Sequence, residues 1–150
     1  MKIKLVLLVL VGFLLTACDR VAPEPSSHVI SIEGAYIRAM PPGQKVTALF
    51  MTMHNNSSDR RQLISASSPA SDKVELYKHK KVDGMMKMGQ VEAIELPKNS
   101  VAELKPGGYH LMLIGLKKDL KVDEKVLVRL FFADGTLMDI QVPVSSKYLK

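Results

Sequence analysis

Leu104-Lys105-Pro106-Gly107-Gly108-Tyr109-His110-Leu111-Met112-Leu113-Ile114 joins the two signals on which the fold turns. Pro106-Gly107-Gly108 breaks the chain. The residues after it read as an extended strand, on which successive side chains point to opposite faces. His110 and Met112 then share one face, and Leu111 and Leu113 share the other. One face carries an imidazole and a thioether that can lean onto one ion, while the other offers apolar bulk to a core.

The same pattern repeats outward in both directions. Short β-branched or alternating runs are expected as strands over residues 29–40, 46–54, 62–67, 74–79, 86–94, 101–104, 109–116, 125–132 and 136–142. Between them stand Pro41-Pro42-Gly43, Asn55-Asn56-Ser57-Ser58-Asp59, Asp83-Gly84, Pro97, Pro106-Gly107-Gly108 and Asp134-Gly135. No segment has a long helical period and no internal repeat is present. The expectation is an all-β domain, a Greek-key sandwich or barrel. A chain of 150 residues, 47% apolar and 24% charged, suits one such domain rather than two.

Composition narrows the function. A single Cys excludes an internal disulfide framework and any zinc site built on several thiolates. The absence of Trp, with 5% aromatics, argues against a stacking platform for single-stranded nucleic acid. The chain carries nine Met, several close to His.

Residues 1–20, MKIKLVLLVLVGFLLTACDR, have a basic start at Lys2 and Lys4 and an apolar run from Leu5 to Leu15. That run is too short for an ordinary membrane span and fits a secretory signal peptide. Leu15-Thr16-Ala17-Cys18 resembles the lipobox of bacterial lipoproteins, in which the Cys is acylated and becomes the first mature residue. Asp19 resembles the inner-membrane retention signal of enteric-type bacteria. Cleavage before Cys18 leaves 133 residues, takes the only thiol for lipid, and lowers the formal charge from +6 to +4. No dense basic run supports a nucleic-acid partner. Residues 19–28, DRVAPEPSSH, read as a flexible tether.

Three constellations carry chemistry: His110-Leu111-Met112, Met85-Met86-Lys87-Met88 after the Asp83-Gly84 turn, and Tyr77-Lys78-His79 before it. On a strand, Met86 and Met88 share a face. Thioether and imidazole ligands select Cu(I). Zinc would want thiolate, imidazole or carboxylate, and calcium would want oxygen clusters. Each constellation alone is unspecific, because Met in a β core usually fills gaps. Met40, Met51, Met53 and Met138 are read that way. His54 is read as a solvated loop residue, His28 as incidental to the tether, and Lys78, Lys80, Lys81 and Lys87 as a solvated face.

The spacing across the constellations is specific. Twenty-one residues separate Met88 from His110, and His110-x-Met112 follows. This resembles the PCuAC family of periplasmic copper chaperones, with the pattern His-x10-Met-x21-His-x-Met. Pro41-Pro42-Gly43, Ser67-Ser68-Pro69-Ala70, Val74-Glu75-Leu76 and Met86-Lys87-Met88 also match, as does Leu104 to Met112. The resemblance covers roughly residues 33–143. It implies a cupredoxin-like Greek-key β-sandwich, Cu(I) as the bound metal, and delivery towards the CuA subunit of cytochrome c oxidase, often beside a Sco-type partner. It assigns Met88, His110 and Met112 as ligands. The family's first His falls at Tyr77, whose neutral phenol is a poor Cu(I) ligand. The fourth place is therefore left to His79, Tyr77, water or nothing, with Met86 a further candidate.

The expected organisation is a lipoprotein signal peptide over 1–17, lipid anchor and tether over 18–28, a copper-binding β-sandwich over 29–145, and a short tail over 146–150. The chain is expected to be no enzyme but an extracytoplasmic Cu(I) chaperone. It would sit in the bacterial cell envelope, anchored by lipid at Cys18, facing the periplasm from the inner membrane. Two rival readings are a copper-buffering lipoprotein and a non-metal interaction lipoprotein with a vestigial site.

Overall fold

The computed structural model describes residues 29–146. The signal peptide, Cys18, the tether, His28 and residues 147–150 lie outside them. Ten strands follow in chain order: β1 (Ile30–Arg38), β2 (Val46–Asn55), β3 (Arg61–Ser67), β4 (Ser71–Val82), β5 (Met85–Gln90), β6 (Ile94–Leu96), β7 (Ser100–Leu104), β8 (Tyr109–Leu116), β9 (Lys125–Phe132) and β10 (Leu137–Ser145). They hydrogen-bond in the order β5-β4-β8-β7-β2-β1-β10-β9-β3-β6. β8 also pairs with β2, and β3 meets β4 through Ala66 and Val74, which closes the sheet on itself. The result is a cupredoxin-like Greek-key β-sandwich whose layers join into a barrel.

Alternation along each strand builds the core. Leu49, Met51 and Met53 of β2, Leu76 of β4, Leu111 and Leu113 of β8, and Val128 and Leu130 of β9 point inward and are buried. Met51 and Met53 are thus core residues. The opposite face of β8, β2 and β4 carries the residues of chemical interest.

A bulge in β1 brings a fourth strand onto that outer face. Glu33 pairs with Thr52 but Tyr36 pairs with Phe50, so β1 holds one extra residue around Gly34, whose φ is +60°. One extra residue reverses the parity of everything beyond it. Ile30 is buried before the bulge, and Ile37 and Ala39 after it. Tyr36 and Arg38 consequently turn outward beside Phe50 and Ala48.

Two expectations are corrected. The run 86–94 is not one strand: β5 ends at Gln90, and Ile94 and Leu96, both fully buried, cross to pair with β3 at the other end of the sheet order. The strand expected over 74–79 extends to 71–82, because Val82 pairs with Met85 around the two-residue Asp83-Gly84 turn. Both turn residues have positive φ, at +52° and +80°, as a primed hairpin turn requires.

Truncating Leu113, which has no exposed surface, should cost about 2–5 kcal/mol. Ile64→Ala, at an exposed position of β3, should stay within about 0.5 kcal/mol. Chemical denaturation reads both. A Leu113→Ala chain as stable as wild type would contradict this register.

Candidate metal centre

Gly108 organises the centre. The turn before β8 closes with the Gly108 N–H donating to the Lys105 carbonyl at 2.9 Å, and Gly107 takes φ +80° to make it. The Gly108 carbonyl then receives two donors. One is the backbone N–H of His79 at 3.1 Å, which completes the β4–β8 ladder. The other is Nδ1 of His110 at 3.2 Å. A carbonyl has two lone pairs and no proton, so His110 must hold its proton on Nδ1. Nε2 is left as a lone pair, and it lies 3.1 Å from Sδ of Met88. A carbonyl bond on one ring nitrogen is the usual way a metal-binding imidazole is oriented.

The surrounding side chains come from neighbouring strands. His79 pairs with Met88 across β4 and β5, and Tyr77 pairs with His110 across β4 and β8. The His79 ring centroid is 5.1 Å from that of His110, and His79 Nδ1 is buried with no hydrogen-bond partner. Tyr77, His110, Phe50 and Tyr36 form a row across β4, β8, β2 and β1, with successive ring centroids 6.0, 6.1 and 5.2 Å apart. This row leaves His110 only 2% exposed, although it stands on the outer face of the sheet.

His79, Met88, His110 and Met112 line one cavity of about 460 Å³. The structure thus gathers the three motif residues and His79. It does not bring Tyr77 or Met86 into that cavity. The Tyr77 hydroxyl donates to Glu75 Oε2 at 3.1 Å, and Lys73 Nζ lies 2.7 Å from Glu75 Oε1. The Glu75 carboxylate raises the Tyr77 pKa above its ordinary value, so the phenol keeps its proton. Met86 sits opposite Lys81 and is 58% exposed. The β4–β5 hairpin overhangs β8, whose pairing with β4 ends at Tyr109, so Met86 lies past the centre although it shares a face with Met88.

Other readings also shift. Met40 lines the same cavity rather than the core. His54 is on β2, not in a loop, with Nε2 at 3.1 Å from Glu33 Oε2. Lys78 stacks on Tyr109, its Nζ 4.4 Å from the ring centroid. The Gly108 carbonyl, Phe50 and Arg38 were not singled out by sequence. The β1 bulge that turns Arg38 outward has Gly34 as its only local signal.

The donor set fits a soft monovalent metal. Among the described residues, no three His, Cys, Asp or Glu side chains converge as a hard or borderline ion would need. What converges is imidazole nitrogen and thioether sulfur, the pairing that favours Cu(I).

The chain is similar to lipoproteins and to copper-binding domains. The family model described as LpqE-like, a lipoprotein family, matches residues 30–144. A protein named as a lipoprotein in Leifsonia xyli subsp. xyli is 30% identical over 123 residues, covering 81% of this chain and 73% of that protein. The solution structure of Cu(I)-bound DR1885 from Deinococcus radiodurans is 29% identical, with a TM-score of 0.66, covering 85% of this chain and 87% of that one. The copper-bound PCuAC domain of PmoF2 shares the fold at a TM-score of 0.67 and 24% identity, over 79% of this chain and 94% of that one.

Burial lowers the His110 pKa from its ordinary 6.5; the Gly108 bond opposes this, and the charges of His79 and Arg38 add to it. Below about pH 6.5 the unfolded chain therefore binds a proton that the folded chain resists. Stability from this group is complete above that pH and is lost as pH falls through the lowered value. The Tm of the metal-free protein should drop as pH falls below about 6.5, and His110→Gln should flatten the drop. Equal slopes in the two proteins would contradict it.

Proposed function

The chain belongs to the LpqE-like lipoprotein family, and we propose that it is a Cu(I) carrier of the PCuAC type that holds copper through His110, Met88, Met112 and His79. The observation that carries this reading is the pair of lone pairs, His110 Nε2 and Met88 Sδ, facing each other at 3.1 Å with the imidazole proton held on the other nitrogen. Neutral soft donors accept a monovalent copper ion without placing a negative charge in a half-buried site. His79 offers its orphaned Nδ1 in the place the family gives to the residue at Tyr77.

Release proceeds by ligand exchange. Met88 lies on β5, at one end of the sheet order, and is 49% exposed. An incoming donor enters the open cavity and displaces that thioether before the other protein ligands, while His110, locked by Gly108, stays in place. This is carriage and not catalysis. The acceptor in this reading is the CuA subunit of cytochrome c oxidase, with a Sco-type protein alongside, as the family resemblance implies. Acylation of Cys18 anchors the carrier to the membrane, on the periplasmic side of the inner membrane by the Asp19 signal, and raises its effective concentration near a membrane-bound acceptor.

Competition with a chromophoric Cu(I) chelator tests the site. His110→Ala and Met112→Ala should each weaken binding by about tenfold or more while circular dichroism stays unchanged. His79→Ala should weaken it less. Tyr77→Phe and Met86→Ala should stay within about threefold of wild type. Unchanged affinity in both the His110 and Met112 variants would overturn the proposal.

A further inference from the structure

The cavity holds more than one ion needs. At about 460 Å³ it exceeds many times the roughly 30 Å³ that one water occupies in the liquid. Arg38 and Gln44 line the same cavity as the metal donors. The Arg38 guanidinium lies over the Phe50 ring, 5.2 Å from its centroid, and Phe50 in turn neighbours His110. Its backbone is fixed by Thr47 Oγ1 donating to the Arg38 carbonyl at 2.6 Å.

Arg38 is the exception among the arginines. Arg60 pairs with Glu95, Arg61 with Asp134, and Arg129 grips Asp139 through two bonds of 2.6 and 2.7 Å. Among the described residues Arg38 alone of the arginines has no carboxylate partner; its Nε, like that of Arg61, is buried without an acceptor, and no acidic side chain lines the cavity. A fixed guanidinium beside neutral metal donors is a poor neighbour for Cu(I), because two positive charges then share a half-buried space. A negative charge between them resolves the conflict, and guanidinium is the side chain best suited to hold one.

We propose that this cavity binds a small monoanion of the halide class, held by Arg38 with Gln44, which accompanies Cu(I) as its exogenous ligand. The anion site belongs to the apo protein; its role as a copper ligand rests on the carrier reading above. Copper would then arrive as a neutral ion pair, and the incoming acceptor donor would replace the anion before any protein ligand.

Bromide is the probe, and the full-length chain in detergent micelles is the sample. In the metal-free protein, a bromide titration followed by the Arg38 side-chain Nε–H signal in ¹H–¹⁵N spectra should give a saturable shift. The Arg129 signal should move only linearly with salt, and Arg38→Leu should abolish the saturable component seen at the Phe50 ring. With Cu(I) loaded, Arg38→Leu should equal or exceed wild-type affinity in nitrate buffer. Adding bromide should reverse that order severalfold, and comparing both proteins in one buffer cancels bromide's own hold on free copper. A linear, unsaturated Arg38 response in the apo protein would overturn the anion site. A wild-type to variant affinity ratio independent of bromide would overturn its role as ligand. If neither protein binds Cu(I), the carrier reading fails, and the apo titration still decides the anion site.

Discussion

The hydrogen bond from His110 Nδ1 to the Gly108 carbonyl, 3.2 Å long, decides what this protein can do. It commits the imidazole to one tautomer and aims the remaining lone pair at Met88. The same carbonyl takes the His79 backbone N–H, so a single atom sets the positions of both histidines. A substitution that re-routed the Pro106-Gly107-Gly108 turn would therefore disturb two ligands at once. The bond holds because β8 cannot slide. Leu111 and Leu113 are fully buried on its inner face, and a slip of one residue would drive His110 and Met112 into the core.

The setting of that bond makes the donors both available and selective. The row of Tyr77, His110, Phe50 and Tyr36 removes water from around the imidazole and lowers its pKa, so protons compete less for Nε2. Tyr77 belongs to this wall. Its ring stacks at 6.0 Å on His110 while its hydroxyl is taken by Glu75, so the position that the family pattern gives to a ligand here shapes the site without entering it. The thioethers add softness without a proton or a charge. Arg38 stands behind Phe50 as the one fixed charge on the cavity wall, which is why the chemistry of that wall matters as much as the ligands.

The sequence made β8 legible because alternation, a preceding breaker and a mixed His/Leu/Met pattern all agree there. The Asp83-Gly84 hairpin was legible for the same reason: both residues tolerate the positive φ that the turn demands. The split of residues 86–94 was not. Val91-Glu92-Ala93-Ile94 holds no Pro, Gly or turn dipeptide to mark a break, and only the closure of the barrel reveals that Ile94 belongs to β3's side. Met40 was misread for a related reason. Its parity is set by the β1 bulge, which adds one residue at a glycine that could equally have been an ordinary strand position. Alternation correctly put Met86 on the face of Met88, yet it carries no information about where a hairpin overhangs its neighbour. The Gly108 carbonyl lay beyond any side-chain pattern, being backbone.

The most direct measurement is the X-ray absorption spectrum of the Cu(I)-loaded protein in halide-free buffer. Imidazole nitrogen and thioether sulfur scatter distinguishably, and the site described here predicts both shells, with two nitrogens from His110 and His79 and sulfur from Met88 and Met112. Substituting His79 by Ala should remove one nitrogen and leave the sulfur shell intact. A wild-type spectrum with no sulfur neighbour would contradict the account at its centre, because the facing of His110 Nε2 and Met88 Sδ would then have no part in holding copper.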